Sequence, residues 1–297
     1  MTPARHVGTA LHLFNTESIG YVALKAISVS PTASVVGVTS RGIFLHTPSK
    51  QIFFISFESH RGPLTLNTTH TLTHVGQTVQ IIDSYLFIGD AAIRLDTANL
   101  WQPDPAPSNI VPLPTRIATL QHFLQRQNFR SLEDFGSLPT NLQSLISNLG
   151  LGPGLTPSGD DVVIGFLLTL NRYGHYAHND LFIQESKRRT TTLSANLIEC
   201  AAQGLADERL IRLIDCIFTG DKNDRALDEM LGWGESSGFN VLKGMALAIK
   251  NFESRNEQVV SLSNPPINFL PNPKLHSAVI ASAFEPSHTP EPSNLAD

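Results

Sequence analysis

The segment Gly152-Pro153-Gly154-Leu155-Thr156-Pro157-Ser158-Gly159-Asp160-Asp161 concentrates the residue types that do chemistry, and it runs directly into the apolar stretch Val162 to Leu168. Glycines let a backbone turn tightly and approach a ligand closely, and prolines stiffen such a turn. The helix that follows offers unpaired N–H groups and a partial positive charge at its start. With the hydroxyls of Thr156 and Ser158 and the N–H groups of Gly154 and Gly159, this predicts a site for a small anion. Asp160 and Asp161 are the candidate catalytic residues. Two carboxylates would repel an anion held between them. One should therefore face a cation, a metal or an amide donor, and Asp160 is assigned that part, as acceptor for an NH2 group or as a ligand for Mg²⁺. The segment is not a Walker A loop, because no lysine follows its glycines.

A structural alternative accompanies this reading. Ser158 and Asp161 have the spacing of a capping box in its acidic form, in which each side chain satisfies the other residue's N–H. That explains Asp161 better than Asp160, since one carboxylate suffices for the reciprocal bond.

Two more segments share the chemistry. Arg188-Arg189-Thr190-Thr191-Thr192-Leu193-Ser194 sets two guanidinium groups beside hydroxyls, which suits a carboxylate or phosphate. Arg188, Arg189, Thr191 and Ser194 are its candidate binding residues. Adjacent arginines point ~100° apart on a helix, so at most one reaches a shared site; the alternative is a solvated helix face. Ser236, Ser237 and Gly238 again precede an apolar helix, where either serine serves equally well as an ordinary N-cap. Three such segments converging on one negatively charged ligand is the functional reading.

The elements that must position these residues divide the chain. Residues 7 to about 100 carry short runs rich in Val, Ile, Phe and Tyr between turn residues: Ile19–Val29, Ser34–Thr39, Ile52–Phe57, Thr78–Ile82 and Tyr85–Ile88. They predict an antiparallel sheet or small barrel. Trp101 to Pro114 holds five prolines and reads as a connection. Apolar spacing of three and four then predicts helices through Ile117, Leu120 and Leu124, and through Leu142, Leu145, Ile146 and Leu149, the last capped by Gly150. Further helices are expected over 158–172, 182–203, 207–219, 223–231 and 237–252. The fold class is α+β, with a strand-rich domain at 1–114, a helical domain at 115–260 carrying the site, and a Pro-rich tail at 261–297.

Composition narrows the function. A chain of 297 residues, 41% hydrophobic and 16% charged, can bury a sizeable core. A net charge of −5 and the lack of a long Lys/Arg run argue against a nucleic-acid partner. Two cysteines, Cys200 and Cys216, make neither a disulfide framework nor a zinc knuckle. No apolar stretch approaches ~20 residues, and Met1 to Ala10 does not read as a secretory signal, so a cytoplasmic, membrane-independent protein is expected. The pairs His70/His74 and His175/His178 lack the spacing of a convincing metal site. No Rossmann glycine fingerprint follows a strand.

The three segments together resemble the family catalogued as domain of unknown function 2877, which includes an AllH-like subunit of anaerobic oxamate carbamoyltransferase. The resemblance lies in Gly154 to Asp161, in Thr190-Thr191-x-x-Ser194, in Ser236-Ser237-Gly238, and in Ala98-Asn99-Leu100-Trp101-Gln102-Pro103. It runs to roughly residue 255. It implies a subunit acting in purine (allantoin) breakdown, exchanging a carbamoyl group between oxalurate and phosphate to give oxamate and carbamoyl phosphate. It also implies partner subunits, one of them FdrA-like. On that footing the N–H groups of Gly154, Gly159 and Gly238 are expected to stabilise developing negative charge, and Thr156 and Ser158 to hold phosphate oxygens. Arg188 or Arg189 would pair with the substrate carboxylate. Two other readings stay open: a non-catalytic subunit completing a complex, and a Mg²⁺-dependent enzyme on another small phosphorylated or acyl substrate.

Overall fold

In the computed structural model, residues 11–68, 71–72, 78–129, 142–174, 179–234 and 236–256 are described, residues 253–256 by backbone alone. Both histidine pairs and the Pro-rich tail lie outside them. The N-terminal half contains β1 (His12–Gly20), α1 (Tyr21–Ser28), β2 (Thr32–Thr39), β3 (Gly42–His46), β4 (Ile52–Ser56), β5 (Thr65–Thr68), β6 (Thr78–Ile82), β7 (Tyr85–Ile88), β8 (Ala91–Arg94) and β9 (Asn99–Trp101). The strands form one sheet in the order β5-β4-β3-β2-β6-β7-β8-β1-β9, and β5 also pairs with β1. That extra pairing closes eight strands into a barrel, with β9 continuing the edge of β1 beyond β8. Closure leaves few strand edges open to other chains. The barrel is mixed: β1 runs parallel to β8 and β9, and β4 parallel to β5. Its core holds Ile19, Ile43, Leu45, Phe53, Ile55, Leu66, Leu86 and Ile88, all at or near zero exposure.

One expected strand is a helix over most of its length. Ile19–Val29 looked like a β run because it is apolar throughout. The strand instead stops at Gly20, and Tyr21–Ser28 is helical. Ala23, Leu24, Ala26 and Ile27 are buried at the three-and-four spacing of a helix face. Gly20 permits the change of direction, because a Cβ there would lie 2.1 Å from the Gly62 carbonyl oxygen.

The helical half comprises α2 (Leu113–Arg126), α3 (Leu142–Ser147), α4 (Ser158–Arg172), α5 (Asn179–Arg189), α6 (Thr192–Ala201), α7 (Glu208–Thr219), α8 (Asp224–Leu231) and α9 (Ser237–Asn256). The Pro-rich connection ends two residues sooner than expected. Pro114 sits within the first positions of α2, where its missing N–H is unneeded. The helix expected over 182–203 is two helices, broken at Thr190 and Thr191. A second core, built on Val163, Leu167, Leu168, Phe182, Leu213, Ile214, Val241 and Met245, fills this half.

The halves meet through specific bonds. The Asn196 side chain on α6 accepts from the Ile52 backbone N–H on β4 at 2.7 Å. Arg61, in the loop before β5, bonds Glu208 at the start of α7 through its backbone N–H and its guanidinium. Arg41, between β2 and β3, donates to the Gly232 carbonyl at 3.0 Å, just before the turn into α9.

Candidate functional site

The starts of α4 and α9 are brought together by two glycines. A Cβ on Gly165 would lie 2.1 Å from the Val241 carbonyl oxygen, and one on Gly244 would lie 2.0 Å from that of Val162. Only residues without a side chain let the two backbones cross this closely. As a result Thr156, just before α4, and Ser237, the first residue of α9, share a hydroxyl–hydroxyl hydrogen bond of 3.0 Å. The α5–α6 break joins the same place, where the Thr191 hydroxyl donates to the Leu155 carbonyl at 2.6 Å. Portions of all three expected segments therefore meet.

Within this meeting point the two aspartates have opposite fates. Asp160 is fully buried, and both of its oxygens are engaged. One accepts from the Gly150 backbone N–H at 2.7 Å and the other from the Thr190 hydroxyl. Gly150 adopts φ +79, and a Cβ there would lie 2.2 Å from the Arg189 carbonyl oxygen. Asp160 thus clamps the turn before α4 to the α5–α6 break. Asp161, 1% exposed, has no hydrogen-bond partner among the described residues on either carboxylate oxygen. Burial pushes its carboxyl up to about 7 from the ordinary 3.8; the nearby Ser237 hydroxyl pulls it back and the Asp160 charge raises it further. Ser237 acts here through proximity, since it does not reach hydrogen-bond geometry with either oxygen. The capping box is not formed. Pro157 occupies the cap position with no side-chain cap bond, and Ser158 is already the first helical residue.

The other expected residues divide similarly. Ser194 is fully buried on α6, the helix packed against α4, and its hydroxyl has no partner among the described residues. The Thr191 hydroxyl caps α6 by accepting from the Ser194 N–H at 3.1 Å. The Ser236 carbonyl accepts from Asn240, while its side chain is exposed. Gly154 lies in the exposed turn at φ +94, with open space where a Cβ would be. The N–H of Gly159 goes to the Leu151 carbonyl at 3.0 Å, and that of Gly238 to the Trp233 carbonyl at 2.9 Å. Neither is left to stabilise an oxyanion, which corrects the expectation for these two amides. Both glycines are instead needed for close packing, against the Asn148 and Met230 carbonyls respectively. Arg188 and Arg189 lie on the exposed side of α5, each paired with Glu185.

Sequence reasoning did not single out Thr190 or Gly150 as site residues, although they anchor Asp160. Thr190 belonged to a motif already noted; only contact in space distinguishes it from its neighbours. Among the described residues, no group of three or more His, Cys, Asp or Glu side chains gathers as a metal cluster would. Any Mg²⁺ carried here would have to draw most of its ligands from water or substrate.

The geometry defines a class first: an α+β protein with a closed barrel and a helical half, in which converging helix starts enclose an unpartnered carboxylate. A narrower likeness comes from one stretch of the chain. Residues 148–249 match the family described as oxamate carbamoyltransferase subunit AllH. The matched span contains Thr156, Asp160, Asp161, Thr190, Ser194 and Ser237, and it leaves the barrel outside. No solved structure matches the chain.

Proposed function

We propose that this chain is a subunit of an oxamate carbamoyltransferase-like enzyme and that Asp161 receives the NH2 of the carbamoyl group being transferred. The observation carrying this is the Asp161 carboxylate, buried with neither oxygen paired. A carboxylate in that state is destabilised until donors reach it. A carbamoyl NH2 supplies two N–H donors in one plane. The unpartnered Ser194 hydroxyl and the linked Thr156 and Ser237 hydroxyls are available for the carbonyl and phosphate oxygens.

In the reaction, a phosphate oxygen attacks the carbamoyl carbon of oxalurate. The bond from that carbon to the oxamate nitrogen breaks, and the proton given up by phosphate ends on that nitrogen. Oxamate and carbamoyl phosphate leave. The role first assigned to Asp160 passes to Asp161, because both Asp160 oxygens hold the protein together. The aspartate pair therefore splits into a positioning residue and a substrate-facing one. In this reading the exposed turn 151–155, which leads into α4, moves aside to admit a ligand to Asp161.

The low exposure of Asp161 also favours a site that opens only against a partner subunit. The test is phosphate-dependent oxalurate cleavage by the assembled complex, with its FdrA-like and other subunits, carrying Asp161→Asn. Loss of turnover with normal assembly supports the reading; full turnover contradicts it.

A further inference from the structure

A cavity of about 450 Å³ opens where the barrel meets the helical half, at the far end of α4 from Asp161. Its walls come from the Arg61 loop, from the β9 end and connection at Trp101, Gln102 and Asp104, and from Arg172 on α4 with Glu208, Arg212 and Asp215 on α7. Its size is that of a small-molecule pocket, and junctions between separately packed halves commonly hold such pockets.

The charges on its walls balance in number but not in hydrogen bonding. Asp215 is saturated: Arg172 donates to its two oxygens at 2.7 and 2.6 Å, and the Tyr173 hydroxyl donates at 2.8 Å. Glu208 is saturated by the Arg61 backbone N–H, Nε and Nη2. The guanidinium groups are not saturated. Arg61 uses Nε and Nη2, and Arg212 uses only Nη1, toward Glu229, which lies outside the cavity wall. Both side chains are about half exposed. The remaining wall carboxylate, Asp104, is exposed, so solvent and salt weaken its repulsion. The cavity is therefore rich in fixed donors and poor in free acceptors. Arg172, 5% exposed, ion-paired with Asp215 and bonded to the Asp104 carbonyl, gives it a rigid floor.

We propose that this cavity is a second ligand site, taking a small oxyanion, carboxylate or phosphate, through Arg61 and Arg212. It is distinct from the Asp161 site. Arg172 lies eleven positions beyond Asp161 on α4, which is ~16 Å along the axis and too far for one small substrate to span.

The test is calorimetric titration of the full chain with inorganic phosphate and, separately, with oxamate. Three variants are compared with the parent: Arg212→Gln, Arg61→Gln and Gln102→Trp. Gln102→Trp fills the cavity without removing an ion pair, so it remains informative if an arginine variant folds poorly. Binding of either anion should weaken by roughly tenfold or more in the arginine variants and in Gln102→Trp. Phosphate binding alone would identify a phosphate site, and oxamate binding alone a carboxylate site. Two results would overturn the proposal: no binding of either anion, or binding indifferent to all three cavity variants.

Discussion

Replacing Asp161 with Asn should make this protein more stable at neutral pH, and the size of the gain follows from the burial of the carboxylate. The folded-state value is raised, from 3.8 to about 7. Below pH 3.8 both folded and unfolded chains carry the proton, and the group costs nothing. Between 3.8 and about 7 the unfolded chain has released its proton while the folded chain retains it. Stability then falls with rising pH by ~1.36 kcal/mol per pH unit. By the time the folded group ionises, the accumulated loss is about 4 kcal/mol. Asn has nearly the same shape and no charge, so it escapes this loss. Thermal melts followed by circular dichroism at acidic, intermediate and alkaline pH provide the assay. The variant and parent should melt together at the acidic end and separate by on the order of 10 °C above neutrality. Other titrating groups cancel in the difference. Parallel melting curves across the whole range would refute the reasoning, since they would mean that the Asp161 charge is already compensated.

Three further outcomes are expected. Asp160→Ala strands the buried Gly150 N–H and Thr190 hydroxyl, so it should lose about 1–3 kcal/mol for each donor left unpaired, measured by urea unfolding. This differs from the consequence for a purely substrate-facing residue, which would leave the fold intact. Gly165→Ala drives a methyl group into the Val241 carbonyl and should cost about 1–3 kcal/mol or more, with the Thr156–Ser237 contact disturbed as α4 and α9 separate. Arg188→Ala and Arg189→Ala, made singly, should leave both the melting temperature and the turnover of the assembled complex unchanged, because each arginine is exposed and bonded to Glu185. A large loss of turnover in either would show that α5 meets the substrate.

Much of this architecture was legible in the sequence, and the failures have identifiable causes. The α4 helix falls where the apolar periodicity after the Gly/Pro turn placed it, and strands β6 and β7 fall where their runs of β-branched and aromatic residues placed them. Tyr21–Ser28 was misread because an unbroken apolar run looks the same as a buried strand; its alanines and Lys25 were the signal for a helix. Parallel pairing of β1 with β8 and β9 leaves no local mark, since it joins residues some eighty positions apart. At the site, sequence marked the start of α4 but not the division of labour inside it. Asp160 and Asp161 are neighbours of identical type. Only the packing of Gly150 and Thr190 against one of them decides which carboxylate is spent on structure. Gly159 and Gly238 invited a reading as anion-binding amides, yet each is glycine because a carbonyl from another turn occupies the space of its Cβ.

The central claim is a buried carboxylate at Asp161 that awaits hydrogen-bond donors, and carbon-13 NMR of the aspartate carboxyl groups reads it directly. One resonance should titrate near neutrality, should vanish in Asp161→Asn, and should shift its midpoint to lower pH when oxamate is added with the partner subunits present, because donated N–H bonds favour the charged form. If every aspartate titrates in the ordinary range, or if the neutral-titrating resonance ignores the carboxamide, the account is contradicted.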